Sequence, residues 1–133
     1  HLETPLKTFA VTHTQFIMAH LKNMSQCQRL HHLKHLDMTG TLLTCLCMAP
    51  LAALLENVAH TLESLQLQGC GITDSQLRVL LPALGQCSQL TWLDLYTNHF
   101  SMDALCDLLL HTANLSKMTV ERYPAPLESY DEL

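Results

Sequence analysis

The chain has 133 residues, a formal net charge of -5 and only seven Lys and Arg, scattered without a basic stripe, which argues against direct nucleic-acid binding. The longest apolar runs, Leu42-Leu43 and Leu108-Leu109-Leu110, are too short to span a bilayer, and no secretory leader is visible. Six cysteines without the tight spacing of a small disulfide framework favour reduced thiols in a reducing compartment.

In chain order, one phrase recurs. Leu6, Phe9, Val11, Thr14 and Phe16 fill it first, with Pro5 just before a strand, where a missing N–H does little harm. Ile17, Met18, Leu21 and Met24 then recur at helical spacing up to Ser25. Cys27 and Leu30 are expected as the buried return. Leu33, Leu36, Met38, Thr41 and Leu43 make the second phrase. Histidines 31, 32 and 35 bring no carboxylate or thiolate at short spacing, so they are expected as exposed strand and loop residues and not as metal ligands. Cys45 and Cys47 form CxC without a second pair, and both read as small buried apolar side chains.

A helix from Pro50 to His60 is opened by proline in its first turn and carries Leu51, Leu54, Leu55 and Val58 on one stripe. Leu62-Glu63-Ser64-Leu65-Gln66-Leu67-Gln68-Gly69-Cys70-Gly71-Ile72 is the third phrase, and Leu90-Thr91-Trp92-Leu93-Asp94-Leu95-Tyr96-Thr97-Asn98-His99-Phe100 the fourth. Between them Thr73-Asp74-Ser75-Gln76 reads as a capping box opening a helix with Leu77, Leu80, Leu81 and Leu84 inward. Pro82 is expected to bend or shorten that helix. Ser101 is expected to cap the last helix, with Leu105, Leu108 and Leu109 inward. Leu115, Met118, Val120, Tyr123 and Ala125 are read as a weakened fifth phrase.

All five phrases spell LxxLxLxx[N/C]x[apolar] or a variant of it, the leucine-rich repeat pattern. Alternate apolar letters face one side of a short strand, and the Asn or Cys can satisfy backbone groups where the chain leaves it. The starts at Leu6, Leu33, Leu62, Leu90 and Leu115 lie 27, 29, 28 and 25 residues apart, room enough for a helix on each return. The expected fold is thus α/β, a leucine-rich-repeat solenoid resembling a segment of a ribonuclease-inhibitor-like horseshoe: right-handed βα units, a parallel sheet inside and helices outside. Residues 1–133 are expected to be one array of about five repeats, cut at both ends, because the first phrase starts near His1 and nothing after Tyr130 reads as a polar cap.

The third, fifth and seventh letters of each phrase should form the concave binding stripe: Thr8, Ala10, Thr12; His35, Asp37, Thr39; Ser64, Gln66, Gln68; Trp92, Asp94, Tyr96; and Lys117, Thr119, Glu121. The candidate partner-binding residues are His35, Asp37, Gln66, Gln68, Trp92, Asp94 and Tyr96. The single Trp beside a Tyr reads as an interface anchor or as a cover over a neighbouring strand. Catalysis is not expected: no nucleophile is placed by motif, and Gly69-Cys70-Gly71 lacks the length and the Lys of a phosphate loop. No cofactor is implied. Leu51–Leu55, Leu77–Leu81 and Leu105–Leu109 each spell LxxLL, the helical string by which coregulators dock on nuclear receptors, but their equivalent places in successive repeats fit a core better.

The stretch Cys70-Gly71-Ile72-Thr73-Asp74-Ser75-Gln76-Leu77, with Leu80-Leu81-Pro82-Ala83-Leu84, Gln86-Cys87-Ser88-Gln89-Leu90-Thr91 and the tail Tyr123-Pro124-Ala125-Pro126-Leu127-Glu128-Ser129-Tyr130, closely resembles the PRAME family of leucine-rich-repeat proteins. That resemblance implies a substrate receptor of cullin-RING ubiquitin ligases. Its adaptor box would lie in an amino-terminal part outside this chain, and its repeats would choose the protein target. It also implies links to repression of retinoic-acid-receptor transcription, to reduced apoptosis and differentiation, to proliferation, and to cytoplasm and nucleus.

Overall fold

The computed structural model describes residues 4–15 and 18–130. Phe16 and Ile17, assigned above to the first phrase and first helix, lie outside the described residues. Among the described residues, five short strands, β1 (Thr8–Ala10), β2 (His35–Asp37), β3 (Ser64–Gln66), β4 (Trp92–Asp94) and β5 (Val120–Arg122), pair in parallel in chain order as one sheet. Each is followed by a return segment. Four of these are helical: α1 (Met18–Ser25), α2 (Met48–Asn57), α3 (Asp74–Leu84) and α4 (Met102–Thr112). Neighbouring helices pack side by side, α1 on α2, α2 on α3 and α3 on α4.

Strand alternation sets the layers. Leu36, Leu65 and Leu93 form one row across the sheet and are buried under the helices with Leu67, Leu95, Leu51, Leu54, Leu55, Leu77, Leu80 and Leu108. Their neighbours in sequence point to the opposite, helix-free face, where His35, Ser64, Trp92 and Val120 form one row and Asp37, Gln66, Asp94 and Arg122 the next. Burying each leucine contributes roughly 1.5–3 kcal/mol, so this ladder is the main favourable term in the fold.

The turns after β2, β3 and β4 are held by the ninth residue of each phrase. Thr41 Oγ1 donates to the Val11 carbonyl at 2.6 Å, Cys70 Sγ to the Met38 carbonyl at 3.1 Å and Asn98 Nδ2 to the Leu67 carbonyl at 2.9 Å. Asn98 does most: its Oδ1 also accepts from the Cys70 and Ile72 N–H groups at 3.2 and 2.9 Å, so one buried amide stitches two repeats.

The helix starts follow the sequence where a cap is present. The Thr73 N–H donates to Gln76 Oε1 at 2.8 Å, and Ser101 Oγ accepts from the Ala104 N–H at 3.2 Å. The second helix begins earlier than expected, because a 3₁₀ turn at Cys45–Cys47 leads straight into Met48, and it ends at Asn57. Pro82 does not shorten α3. It sits exposed in the last turns, and the helix runs on to Leu84 over 11 residues, as long as α4.

Three burial expectations fail, each for a local reason. Cys27 is exposed because it lies in the extended residue leading into a 3₁₀ turn, and the buried return of that repeat is Leu30, three residues before its phrase as the buried Cys87 is before Leu90. Cys45 is exposed on the outer turn, and of the CxC pair only Cys47 is inside. Leu109 is 50% exposed although Leu81, its equivalent on α3, is 2% exposed, because α4 covers α3 and no described helix covers α4.

The largest correction concerns the fifth phrase. Val120 pairs with Trp92 and Arg122 with Asp94, so the phrase starts at Met118 and not at Leu115. Leu115 instead matches Cys87 and Leu30, which precede their phrases by three residues; the Met118, Leu90 and Leu33 N–H groups each donate three residues back. The last interval becomes 28 residues in place of 25, counting from Leu90 to Met118. The third and fifth letters of this repeat are therefore Val120 and Arg122 in place of Lys117 and Thr119, and Glu121 falls in the leucine row, exposed on the edge strand.

Candidate functional site

The helix-free face is polar at its β2 end and aromatic at its β4 end. His35 Nδ1 lies 2.8 Å from Ser64 Oγ across the strands, and Asp37 Oδ1 accepts from the Thr39 N–H at 2.9 Å and its hydroxyl at 2.6 Å. Both are half-buried, as are Gln66 and Gln68. Trp92 is 37% exposed and Tyr96 45%, so these two offer the large apolar surface of the face. The structure thus brings His35, Asp37, Gln66, Gln68, Trp92 and Tyr96 onto one side of one sheet.

Asp94 belongs to a different category from the one its letter suggests. It is 2% exposed, and its carboxylate accepts the Tyr96 N–H at 3.0 Å and faces Arg122 Nη1 at 3.6 Å. Arg122 in turn lies over the Tyr96 ring, 5.1 Å from its centre, a cation–π contact. Asp94 therefore holds the surface groups and offers little surface itself. Sequence reasoning missed Arg122 because it set the fifth phrase three residues early. The signal was present, since a step of 28 residues from Leu90, the mean of the three preceding intervals, lands on Met118.

Beside Tyr96 a cavity of about 430 Å³ opens between the loop after β4 and the segment after β5. Tyr96, Thr97, His99, Pro124, Leu127 and Tyr130 line it with Asn98 and Ala125, and none of these is a carboxylate, an ammonium or a guanidinium. Thr97 stands in the left-handed region at φ 57°, at the phrase position that Gly40 and Gly69 occupy with φ 71° and 64°. A β-branched residue is strained there, whereas glycine is not.

Buried polar chemistry elsewhere is structural. Burial pushes the Cys70 and Cys87 thiols up to about 12, so both stay protonated at neutral pH and are poor nucleophiles. Burial, and then the hydrogen bond its hydroxyl gives Glu121 at 2.5 Å, raises the Tyr123 phenol. Among the described residues no group of three or more His, Cys, Asp or Glu is placed to hold a metal ion. Of the LxxLL strings, Leu51, Leu54 and Leu55 are fully buried and Leu77, Leu80 and Leu81 at most 2% exposed, leaving only Leu109 of the third string half outside. No helix of the described residues is long and apolar enough to cross a membrane.

Comparison with known proteins fits this arrangement. The family model for the PRAME C-terminal domain matches residues 1–133. The chain belongs to the PRAME family. Human PRAME family member 12 is 48% identical to it over 130 residues, covering 98% of the chain and 27% of that relative's length, and human PRAME family member 17 is 49% identical with the same coverage. This PRAME-family chain thus spans about a quarter of the curated relatives it matches. Among solved structures, the tropomodulin C-terminal domain of Caenorhabditis elegans superposes with a TM-score of 0.75 at 13% identity, covering 96% of the chain and 80% of that domain. That likeness concerns the fold alone, and it supports the leucine-rich-repeat type.

Proposed function

We propose that the helix-free face of the sheet binds a protein, and that the chain is the target-recognition arm of a cullin-RING ubiquitin ligase substrate receptor. The observation that carries the binding reading is the exposure of Trp92 and Tyr96 on one strand face, in a chain with one Trp and 5% aromatic residues. Side chains of this kind dominate protein interfaces, since they bring large area at low entropic cost. Arg122 and Asp94 keep Tyr96 in place, so the surface is ordered before a partner arrives.

The ligase assignment is supported by the PRAME resemblance. The adaptor would bind an amino-terminal part that this chain does not include, and no catalytic step is assigned to the repeats. Effects on apoptosis, differentiation, proliferation and transcription would follow from which target is captured, in the cytoplasm and nucleus. Docking on a nuclear receptor through LxxLL helices has the burial of Leu54, Leu55, Leu80 and Leu81 against it, because three exposed leucines per helix are needed to enter a groove.

The test is affinity capture with the full-length protein, beside a Trp92→Ala/Tyr96→Ala variant and a form lacking the amino-terminal part. The double variant is expected to keep the cullin adaptor and lose the target; the truncated form is expected to do the reverse. If the double variant captures the same set as the parent, the face is not the recognition surface.

A further inference from the structure

Resting on the reading of that face as a protein-binding surface, we infer that the cavity beside Tyr96 seats a proline-rich segment of the partner, extended as a polyproline II helix, with Trp92, Tyr96 and Tyr130 as successive aromatic supports.

Among the described residues the exposed aromatic side chains are Trp92, Tyr96 and Tyr130, and all fall on this corner; Phe9 and Tyr123 are half-buried and Phe100 is buried. Tyr96 joins the two halves of the surface, since it lies two residues beyond β4 at the alternate position that continues from Trp92 and shares the cavity wall with Tyr130. Four residues of extended chain separate Trp92 from Tyr96, roughly 13 Å at about 3.3 Å per residue. Polyproline II advances about 3.1 Å per residue, so a ligand of two or three turns reaches both rings.

The lining selects by charge. A phosphate, a carboxylate or a lysine entering the cavity would lose water for little return, because the lining carries no charge apart from an imidazole and the Arg122 guanidinium over the Tyr96 ring is already matched by Asp94. An uncharged segment loses less. Polyproline II has no internal hydrogen bonds, so its carbonyls are free to accept. The Tyr96 and Tyr130 side chains on the cavity wall each carry a hydroxyl that can donate to them. Prolyl rings pack flat on tyrosine, and the stiff ligand loses little conformational entropy on binding. Thr97 agrees with this use, since it keeps a side chain in the cavity wall at a position where two other repeats have glycine.

Trp92 is the single tryptophan, so its fluorescence reports on this corner directly. The 133-residue chain is titrated with a decaproline peptide, with the same peptide carrying alanine at alternate positions, and with an amphipathic leucine-rich helical peptide. Decaproline is expected to give a saturable shift. Tyr130→Ala is expected to weaken it roughly tenfold, as removal of an interface anchor does, with an unchanged circular dichroism spectrum, while Tyr130→Phe retains most of the binding. An absent shift with decaproline, an equal shift with the alanine-substituted peptide, preference for the helical peptide, or an unaltered affinity in Tyr130→Ala overturns the inference. Loss of the cellular target in Trp92→Ala/Tyr96→Ala together with no decaproline binding would remove this inference and leave the recognition face standing.

Discussion

The guanidinium of Arg122 lies 5.1 Å from the centre of the Tyr96 ring while its Nη1 is 3.6 Å from the Asp94 carboxylate, so a residue of the fifth repeat holds an exposed aromatic ring of the fourth. Asp94 also accepts the Tyr96 N–H, and the three residues form one unit. Arg122 is about half exposed, so the ion pair itself contributes little, at most about 1 kcal/mol. Arg122→Ala should therefore leave the melting temperature nearly unchanged and lower target capture by roughly fivefold, an energy of the size of a cation–π contact. An unaltered affinity in that variant would show that Tyr96 needs no support.

Asn98 is the opposite case, a residue whose removal should act on stability first. Asn98→Ala leaves the Cys70 and Ile72 N–H groups and the Leu67 carbonyl without their partner in a buried turn. Each stranded group costs about 1–3 kcal/mol, so a loss of roughly 3–5 kcal/mol is expected from urea unfolding. Cys70→Ala removes one thiol donor from the Met38 carbonyl and should cost distinctly less. Equal losses at the two positions would contradict the unequal ladder seen in the hydrogen bonds.

The contrast shows what could be read in advance. The first four strands, most of the inward helix positions and the use of Asn98 to satisfy turn backbone follow from a two-residue alternation and a repeat of about 28, because the core enforces both, whereas the bridge Asn98 makes to the preceding repeat emerges only in the fold. The end of the array was harder. Glu121 stands where other strands place Leu36, Leu65 or Leu93, so the apolar pattern that fixes register is weakest in β5, and Leu115 offered itself as a false start. The role of Asp94 was also hidden, since a strand letter says which side a carboxylate leaves from and not whether a guanidinium covers it. The cavity depends on the loop after β4 meeting the segment after β5, a meeting that no local spacing encodes.

The LxxLL strings give a sharp test by burial. Leu81 is 2% exposed and its equivalent Leu109 is 50% exposed. Leu81→Ala should cost about 2–5 kcal/mol as a core truncation, and Leu109→Ala well under that. A Leu80→Ala/Leu81→Ala variant should fail to give a cooperative unfolding transition. Were it to melt like the parent while losing a receptor, docking through that helix would be the better reading.

The strained turn predicts a gain. Thr97 holds φ at 57° where Gly40 and Gly69 hold 71° and 64° without a side chain to crowd the backbone. Thr97→Gly should raise stability by about 0.5–1 kcal/mol, the relief of the left-handed conformation less the extra freedom of the unfolded chain. Thr97→Ala keeps a β-carbon and should give less.

Thiol chemistry supplies the pH dependence. Burial raises the folded pKa of Cys70 and Cys87 from 9.0 to about 12, so between those values the unfolded chain loses protons that the folded chain keeps. Stability is fully present below pH 9.0 and should fall as pH rises toward about 12, because the folded state binds more protons throughout that window. At pH 8 a brief iodoacetamide pulse should label the exposed Cys27, Cys45 and Cys106 and spare Cys47, Cys70 and Cys87. Mass spectrometry after the same pulse in urea should find all six modified. Early labelling of Cys70 in the native protein would mean that the turn between β3 and α3 opens far more readily than its hydrogen bonds to Met38 and Asn98 allow.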